Sequence, residues 1–237
     1  MASKPPSADV HGGPGFRVRK SAERPSMEVI DGFREFENAM VSDLMNRLYT
    51  MQRQIRPQVP FEGPVVGPAC TARVFPGDNL MVHMALDLAE PGDVIVVDAS
   101  GSDMNAAIGD MIATKARHRG IAGFVVDGLV RDVAGIEEVG MPVFARGVTP
   151  IGPLHRGPGE VNFPIQCGGV VVFPGDVIIA DRDGVVVVPR DFAPELLERC
   201  REKSKAEADY VAAVRRGDFS NAWVHEEARN AGCTFEP

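Results

Sequence analysis

Apolar positions early in the chain recur at helical steps. In DGFREFENAMVSDLMNRLYTM, Phe33, Phe36, Met40, Leu44 and Leu48 fall three or four residues apart, which predicts an amphipathic helix, whole or broken near Ser42. NLMVHMALDLA repeats the pattern and should end before Pro91-Gly92. Between the two, PQVPFEGPVVGPACTARVFPGDN is punctuated by Pro and Gly around short β-like pieces. The period then changes. Val94–Val97, Gly123–Val126 and Pro142–Phe144 are short solid apolar runs, read as strands, with helical pieces starting near Asp110 and Asp132. Such alternation argues for an α/β architecture. From Cys167 onward, CGGVVVFPGDVIIADRDGVVVVPR is nearly all β, its apolar runs separated by PGD and DRDG turns. RDFAPELLERCREKSKAEADYVAAVRRG then reads as a long polar helix with Leu196, Leu197, Cys200 and Val211 as contacts. PGDVIVVDASG and PGDVIIADRDG look like one strand entry used twice; their flanks do not match, so this is no repeat protein.

Three stretches follow from this pattern: a flexible or draped arm over residues 1–26, an α/β domain over 27–190, and a helix with its tail over 191–237, the last read as a subunit contact. The tail DFSNAWVHEEARNAGCTFEP has no clear period, and Trp223 suits either intrachain packing or a neighbour.

Composition narrows the function classes. Hydrophobic residues at 44% and charged residues at 24% are ordinary for a globular protein. A net charge of −8 weighs against nucleic acid as a partner. The four cysteines, Cys70, Cys167, Cys200 and Cys233, lie far apart with no CxxC, which fits neither a zinc module nor a disulfide framework and suggests a cytoplasmic setting. No apolar run approaches about 18 residues, so no membrane span is expected, and MASKPPSADVHGGPGFRVRK has no secretory h-region. GPGFRVRK is not a P-loop, no GxGxxG follows a strand, and Ser102 stands in no GxSxG elbow. The five histidines show no ligand spacing, and His118 reads as a charge at a helix C-terminus.

The chemistry concentrates in GDMIATKARHRGIAGFVVDGLVRDVAG. Gly109 and Asp110 open a helix whose free N–H groups suit an anion, and Gly109 lets a ligand approach the backbone. Arg131 and Asp132 follow the strand Gly123–Val126 through an Asp127-Gly128 turn. Ligands in α/β sheets gather at strand carboxyl ends, so Asp110, Arg131 and Asp132 could meet there. An Arg in that place can fork onto a carboxylate. Two carboxylates without Cys or His suggest a hard, oxygen-liganded cation, Mg²⁺ or Mn²⁺. The same residues also admit a structural reading, with Asp110 and Asp132 capping helices and Arg131 pairing with either.

Asp110, twenty intervening residues, then Arg131-Asp132 resembles the D-x20-R-D pattern of the family joining class II 4-hydroxy-4-methyl-2-oxoglutarate aldolases to RraA-like proteins. VSDLMNRL, PGDVIVVDASG and MPVFARG agree, and the likeness runs from about Met40 to Glu207. It implies a swivelling β/β/α sandwich, one α/β domain with a long C-terminal helix, assembled as a homotrimer or homohexamer with sites between subunits. It also implies Asp132 as metal ligand for Mg²⁺ or Mn²⁺, Arg131 as a substrate contact, and the amides of Gly109, Asp110, Met111 and Ile112 as the pyruvate-carboxylate site. Asp110 would hold a water of the metal's shell. A neighbouring subunit would add an acid, best matched by Glu207, with Glu198 and Glu202 as alternatives.

The activity implied is lyase chemistry: retro-aldol cleavage of a 4-hydroxy-2-oxo acid to pyruvate, with oxaloacetate decarboxylase activity from the same enolate. No lysine Schiff base is needed, and Lys115 is expected to face solvent. The alternative is a non-catalytic RraA-like regulator that binds a ribonuclease. The acidic and Arg-Asp set retained here favours the enzyme. The arm and the tail after about Gly217 exceed the family core.

Overall fold

The computed structural model describes residues 9–236. It divides into a unit ending at Leu197 and a second from Glu198 onward. In the first unit the chain runs through β1 (Phe16–Val18), α1 (Met27–Gly32), α2 (Asn38–Leu44), β2 (Arg56–Pro57), β3 (Val65–Val74), α3 (Leu80–Leu88), β4 (Val94–Asp98), β5 (Ala106–Ile108), α4 (Asp110–His118), β6 (Gly123–Val130), α5 (Val133–Val139), β7 (Val143–Val148), β8 (Gly159–Val161), β9 (Ile165–Cys167), β10 (Val170–Val172), β11 (Val177–Asp181) and β12 (Gly184–Val188). The long helix α6 (Ala193–Arg215) starts at its end, and α7 (Ala222–Asn230) lies in the second unit.

The main sheet has the order β1-β8-β3-β4-β6-β7-β2, with β3, β4, β6 and β7 parallel. β11 pairs antiparallel with the first half of β3 and with β12, and β9–β10 form a separate hairpin. Successive strand residues face opposite sides. Ile95, Val97, Phe124 and Val126 pack toward α3, α4 and α5; Val94, Val96, Val125 and Phe144 pack toward β9–β12. Helices cover one face and β structure the other, a β/β/α sandwich. Burial on both faces is why Val94–Val97 reads as a solid apolar run rather than an alternating one.

Within the predicted arm, residues 1–8 lie outside the described residues. Phe16–Val18 is laid parallel on β8, and Glu160 of β8 accepts hydrogen bonds from Gly15 N and Arg17 Nε.

The PGD turns share one geometry. Glu90-Pro91-Gly92-Asp93 closes with Asp93 N donating to Glu90 O, and Phe173-Pro174-Gly175-Asp176 with Asp176 N donating to Phe173 O. Gly92 and Gly175 have φ of 90° and 86°, as position three of a type II turn requires. In both, the Asp carboxylate turns back to accept the N–H three residues earlier. Phe75-Pro76-Gly77-Asp78 closes in the same way.

Several sequence-based expectations are corrected. The helix expected over Asp31–Met51 is α1, a short 3-10 turn and α2, broken at Phe36-Glu37 rather than near Ser42. Asp181 of β11 accepts from Asn38 N and Nδ2, which fixes where α2 begins. After Leu44 the chain turns through left-handed Asn46 and Arg47 and leaves Leu48 exposed. Asp127-Gly128 is no turn: β6 runs on to Val130, with an irregularity against β7 between Val126 and Leu129. The sequence pattern announces no strand at Ala106–Ile108, where β5 forms, and the tail contains α7.

Candidate active-site cleft

β6 and β5 end side by side, with Arg131 N donating to Ile108 O. That pairing carries Arg131 and Asp132 across the start of α4. Arg131 Nε lies 3.1 Å from Asp132 Oδ2. Gly109, Asp110, Met111, Ile112, Arg131 and Asp132 all line one cleft of about 260 Å³. A larger recess of about 630 Å³ beside Arg34, Phe36 and Asp181 contains none of these residues. The structure therefore brings together every residue expected around Gly109 and Arg131.

Capping does not explain Asp132. Asp132 precedes α5 with φ 56° and ψ 41°, and its side chain caps no helix N–H. A left-handed non-glycine residue is uncommon, and such residues collect at functional sites. Its side chain is 43% exposed, so it is open to a ligand. Asp110 Oδ1 accepts from the adjacent Met111 N, at 2.6 Å, so that one amide of the predicted carboxylate site is engaged by the protein itself.

Three glycines set the approach distances. A Cβ on Gly109 would lie 2.6 Å from Asp132 Oδ2 and 3.1 Å from Arg131 Cγ. One on Gly135 would meet Asp110 Cβ at 2.7 Å, and one on Gly152 would meet Arg131 Nη1 at 2.6 Å. All three have φ outside the left-handed range, so the need is for space and not for backbone freedom. Gly109→Ala should thus leave the thermal midpoint almost unchanged while displacing the Asp132 carboxylate. If the cleft is the reaction site, turnover falls roughly 100-fold, in line with a displacement of about 1 Å at a reacting centre; kcat and a melting curve on the same sample check it.

Sequence reasoning missed part of the lining. Asn79, His83 and His155 face the cleft. Asn79 Nδ2 donates to Ala107 O, and its Oδ1 lies 2.6 Å from His155 Nδ1. The His83 and His155 rings stack edge to face at 5.6 Å. Burial, then the charges of Lys115 and His155, hold the His83 pKa below the usual histidine value, which favours the neutral ring. These residues come from α3 and from the loop after β7, so no linear spacing announces them. Lys115 is solvent-exposed as expected, but it also lines the cleft. His118 closes the basic last turn of α4.

Glu198, Glu202 and Glu207 belong to the second unit. Glu198 pairs with Arg201 and Glu207 with Lys203 along their own helix. Among the described residues no three of His, Cys, Asp and Glu form a metal-binding group, and no helix is long and apolar enough to cross a membrane. The four cysteines are free thiols.

Sheet, layers and cleft define an α/β sandwich protein with a polar pocket where its parallel strands end. The chain belongs to the RraA-like family (Aldolase/RraA), whose model matches residues 38–187. It is 39% identical over 196 residues to a protein of Halalkalibacterium halodurans named "Putative 4-hydroxy-4-methyl-2-oxoglutarate aldolase", covering 80% of this chain and 93% of that one. Its fold is similar to Streptomyces coelicolor RraAS2, described as an unusual member of the RNase ES inhibitor RraA protein family, with TM-score 0.72 and 30% identity over 80% of this chain and 98% of that one. An uncharacterized protein from Pseudomonas syringae pv. tomato superposes with TM-score 0.74 at 28% identity, over 84% and 97% of the two chains.

Proposed function

We propose that this protein is a divalent-metal-dependent class II aldolase that cleaves a 4-hydroxy-2-oxo acid to release pyruvate, and that it also decarboxylates oxaloacetate. One observation carries the reading: Gly109 and the first turn of α4, with Asp110, line the same small cleft as Arg131 and Asp132.

The donor set suits Mg²⁺ or Mn²⁺. Such hard ions keep much of their water and need only one or two protein carboxylates, whereas a zinc site would call for three or four His, Cys or acidic ligands, and no such group is present among the described residues. Asp132, half-exposed and held in place by its left-handed backbone, is the residue to hold the ion. When bound, the cation supplies Lewis-acid stabilisation of the negative charge that develops on the 2-oxo acid, on the order of several kcal/mol.

The rest falls to the chain. The amides of Gly109, Asp110, Met111 and Ile112 are assigned to the 2-oxo acid carboxylate, with the substrate taking over the Met111 N–H that Asp110 Oδ1 now occupies. Asp110 takes the proton of the C4 hydroxyl through a water, the general-base role. The electrons of the C3–C4 bond pass into the pyruvate enolate, and Arg131 stabilises its oxygen. Glu207 of a neighbouring copy is assigned as the further acid, within a homotrimer or homohexamer. In oxaloacetate decarboxylation the same enolate forms as CO₂ leaves, without need of the base.

Pyruvate release from oxaloacetate tests the reading. Turnover should appear with Mg²⁺, fall to the non-enzymatic background in excess EDTA and return on adding Mg²⁺ or Mn²⁺. Absence of turnover in every metal, together with binding to a ribonuclease, would replace the aldolase with the non-catalytic regulator that the names of the RraA relatives suggest.

A further inference from the structure

A second polar site lies on the opposite face of the sheet. Asp98 and Asp127 sit directly opposite one another near the carboxyl ends of β4 and β6. By strand alternation they share the face of Val94, Val96 and Val125, which β9–β12 cover, whereas Ile108 and Ile112 of the cleft belong to the helix-side core. Both aspartates are buried, and each is matched by an arginine: Arg73 Nε donates to Asp98 Oδ2 at 3.1 Å, and Arg146 Nε pairs with Asp127 Oδ1. Arg146 is 23% exposed and is tied through Nη2 to Gln52 Oε1. These pairs wall a recess of about 540 Å³.

Arg146 also lines an adjoining recess of about 250 Å³, together with Arg53, Gln54 and Arg56. Arg56 lies on β2, the edge strand paired with β7, which carries Arg146, and both residues line this recess. The Arg146–Asp127 pair is neutral. Arg53 and Arg56 add two positive charges, and among the described residues no carboxylate lines this smaller recess. On a chain of net charge −8, a concave site with two uncompensated guanidinium groups beside a third is a local reversal of sign. Like charges gathered this way repel unless an anion joins them.

We propose that this double recess binds a phosphate monoester with a hydroxyl-rich body, the sugar-phosphate class. The dianionic phosphate occupies the smaller recess, where its charge matches Arg53 and Arg56 and its oxygens meet planar guanidinium donors. The body occupies the larger recess, where Gln52, Ser100 and Gln166 offer amide and hydroxyl partners. Among the described residues no aromatic ring lines either recess, so a nucleobase has no stacking surface there. The combined size falls within the range of small-molecule sites.

Isothermal titration calorimetry of the full chain with glucose 6-phosphate, inorganic phosphate and glucose decides the point, and it reads binding independently of any aldolase turnover. Saturable binding of glucose 6-phosphate is expected, weaker binding of inorganic phosphate and none of glucose. The double variant R53Q/R56Q changes only exposed side chains. It should bind the ester roughly 100-fold more weakly, about tenfold per charge-assisted contact. Wild-type affinity should also fall with added NaCl. Unchanged affinity in the variant, no binding at all, or equal affinity for inorganic phosphate and the ester would overturn the proposal. So would a change in sedimentation of R53Q/R56Q without ligand, which would give these arginines to a second copy of the chain.

Discussion

Asp132→Asn is expected to lower oxaloacetate turnover about 1000-fold in saturating Mg²⁺ while leaving the folded structure in place. The size follows from the role: loss of the anionic ligand removes roughly 4 kcal/mol of charge stabilisation, and each 1.36 kcal/mol is a factor of ten. The substitution is chosen for the backbone. Residue 132 has φ 56°, where Asn is tolerated and Ala would be strained. The amide oxygen can still accept from Arg131 Nε, which now lies 3.1 Å from the carboxylate. A melting temperature near that of the parent, with turnover at the EDTA background, is the anticipated pair of results. Retention of more than a tenth of the parental rate would remove Asp132 from the metal-holding role.

Arg24→Ala is expected to destabilise the protein by about 3 kcal/mol at pH 7.5 and by far less near pH 4.5. Asp93 is buried beneath its PGD turn, its side chain 2% exposed, and Arg24 Nη1 donates to its Oδ1 at 2.7 Å. Burial raises the Asp93 carboxyl to about 6, against the lowering effects of the Glu90 N–H and Arg24. The folded protein therefore binds a proton there more tightly than the unfolded chain. The contribution of Asp93 to stability falls as pH rises from the unfolded value near 3.8 to about 6, and is level above that. Removing Arg24 pushes the pKa higher still and leaves a buried carboxylate unpaired at neutral pH, a change that costs about 3–5 kcal/mol when uncompensated. At pH 4.5 the carboxyl is protonated in both proteins and most of the difference vanishes. Urea unfolding at the two pH values measures this; a loss independent of pH would mean that Arg24 acts by packing alone.

Asp176 is the counterpart of Asp93 in the later PGD turn. Burial raises its pKa too, opposed by the N–H groups of Phe173 and Arg190 and by the Arg190 charge. Asp176 therefore contributes to the pH dependence of stability with the same sign as Asp93.

What could be read from the residues alone was what depends on neighbours in sequence. Local propensity and period located α3, α4, β4 and the PGD turns, because Pro and Gly preset the dihedral angles of a turn whatever surrounds it. The run of Asp110, Arg131 and Asp132 was legible because one strand–helix unit spans it, so its ends are bound to return to the same edge of the sheet. The break at Phe36-Glu37 was not legible: it depends on Asp181, far along the chain, capturing Asn38. Nor was the continuation of β6 through Asp127-Gly128, where the partner strands hold extended a dipeptide that in isolation would turn. Asn79, His83 and His155 join the cleft only once α3 and the loop after β7 have packed beside α4. Gly135 and Gly152 matter because Asp110 and Arg131 press against them, a contact absent from any linear pattern. Residue types and local turns are written in the chain, but the approach of side chains to 3 Å is set by packing, and packing exists only in the folded molecule.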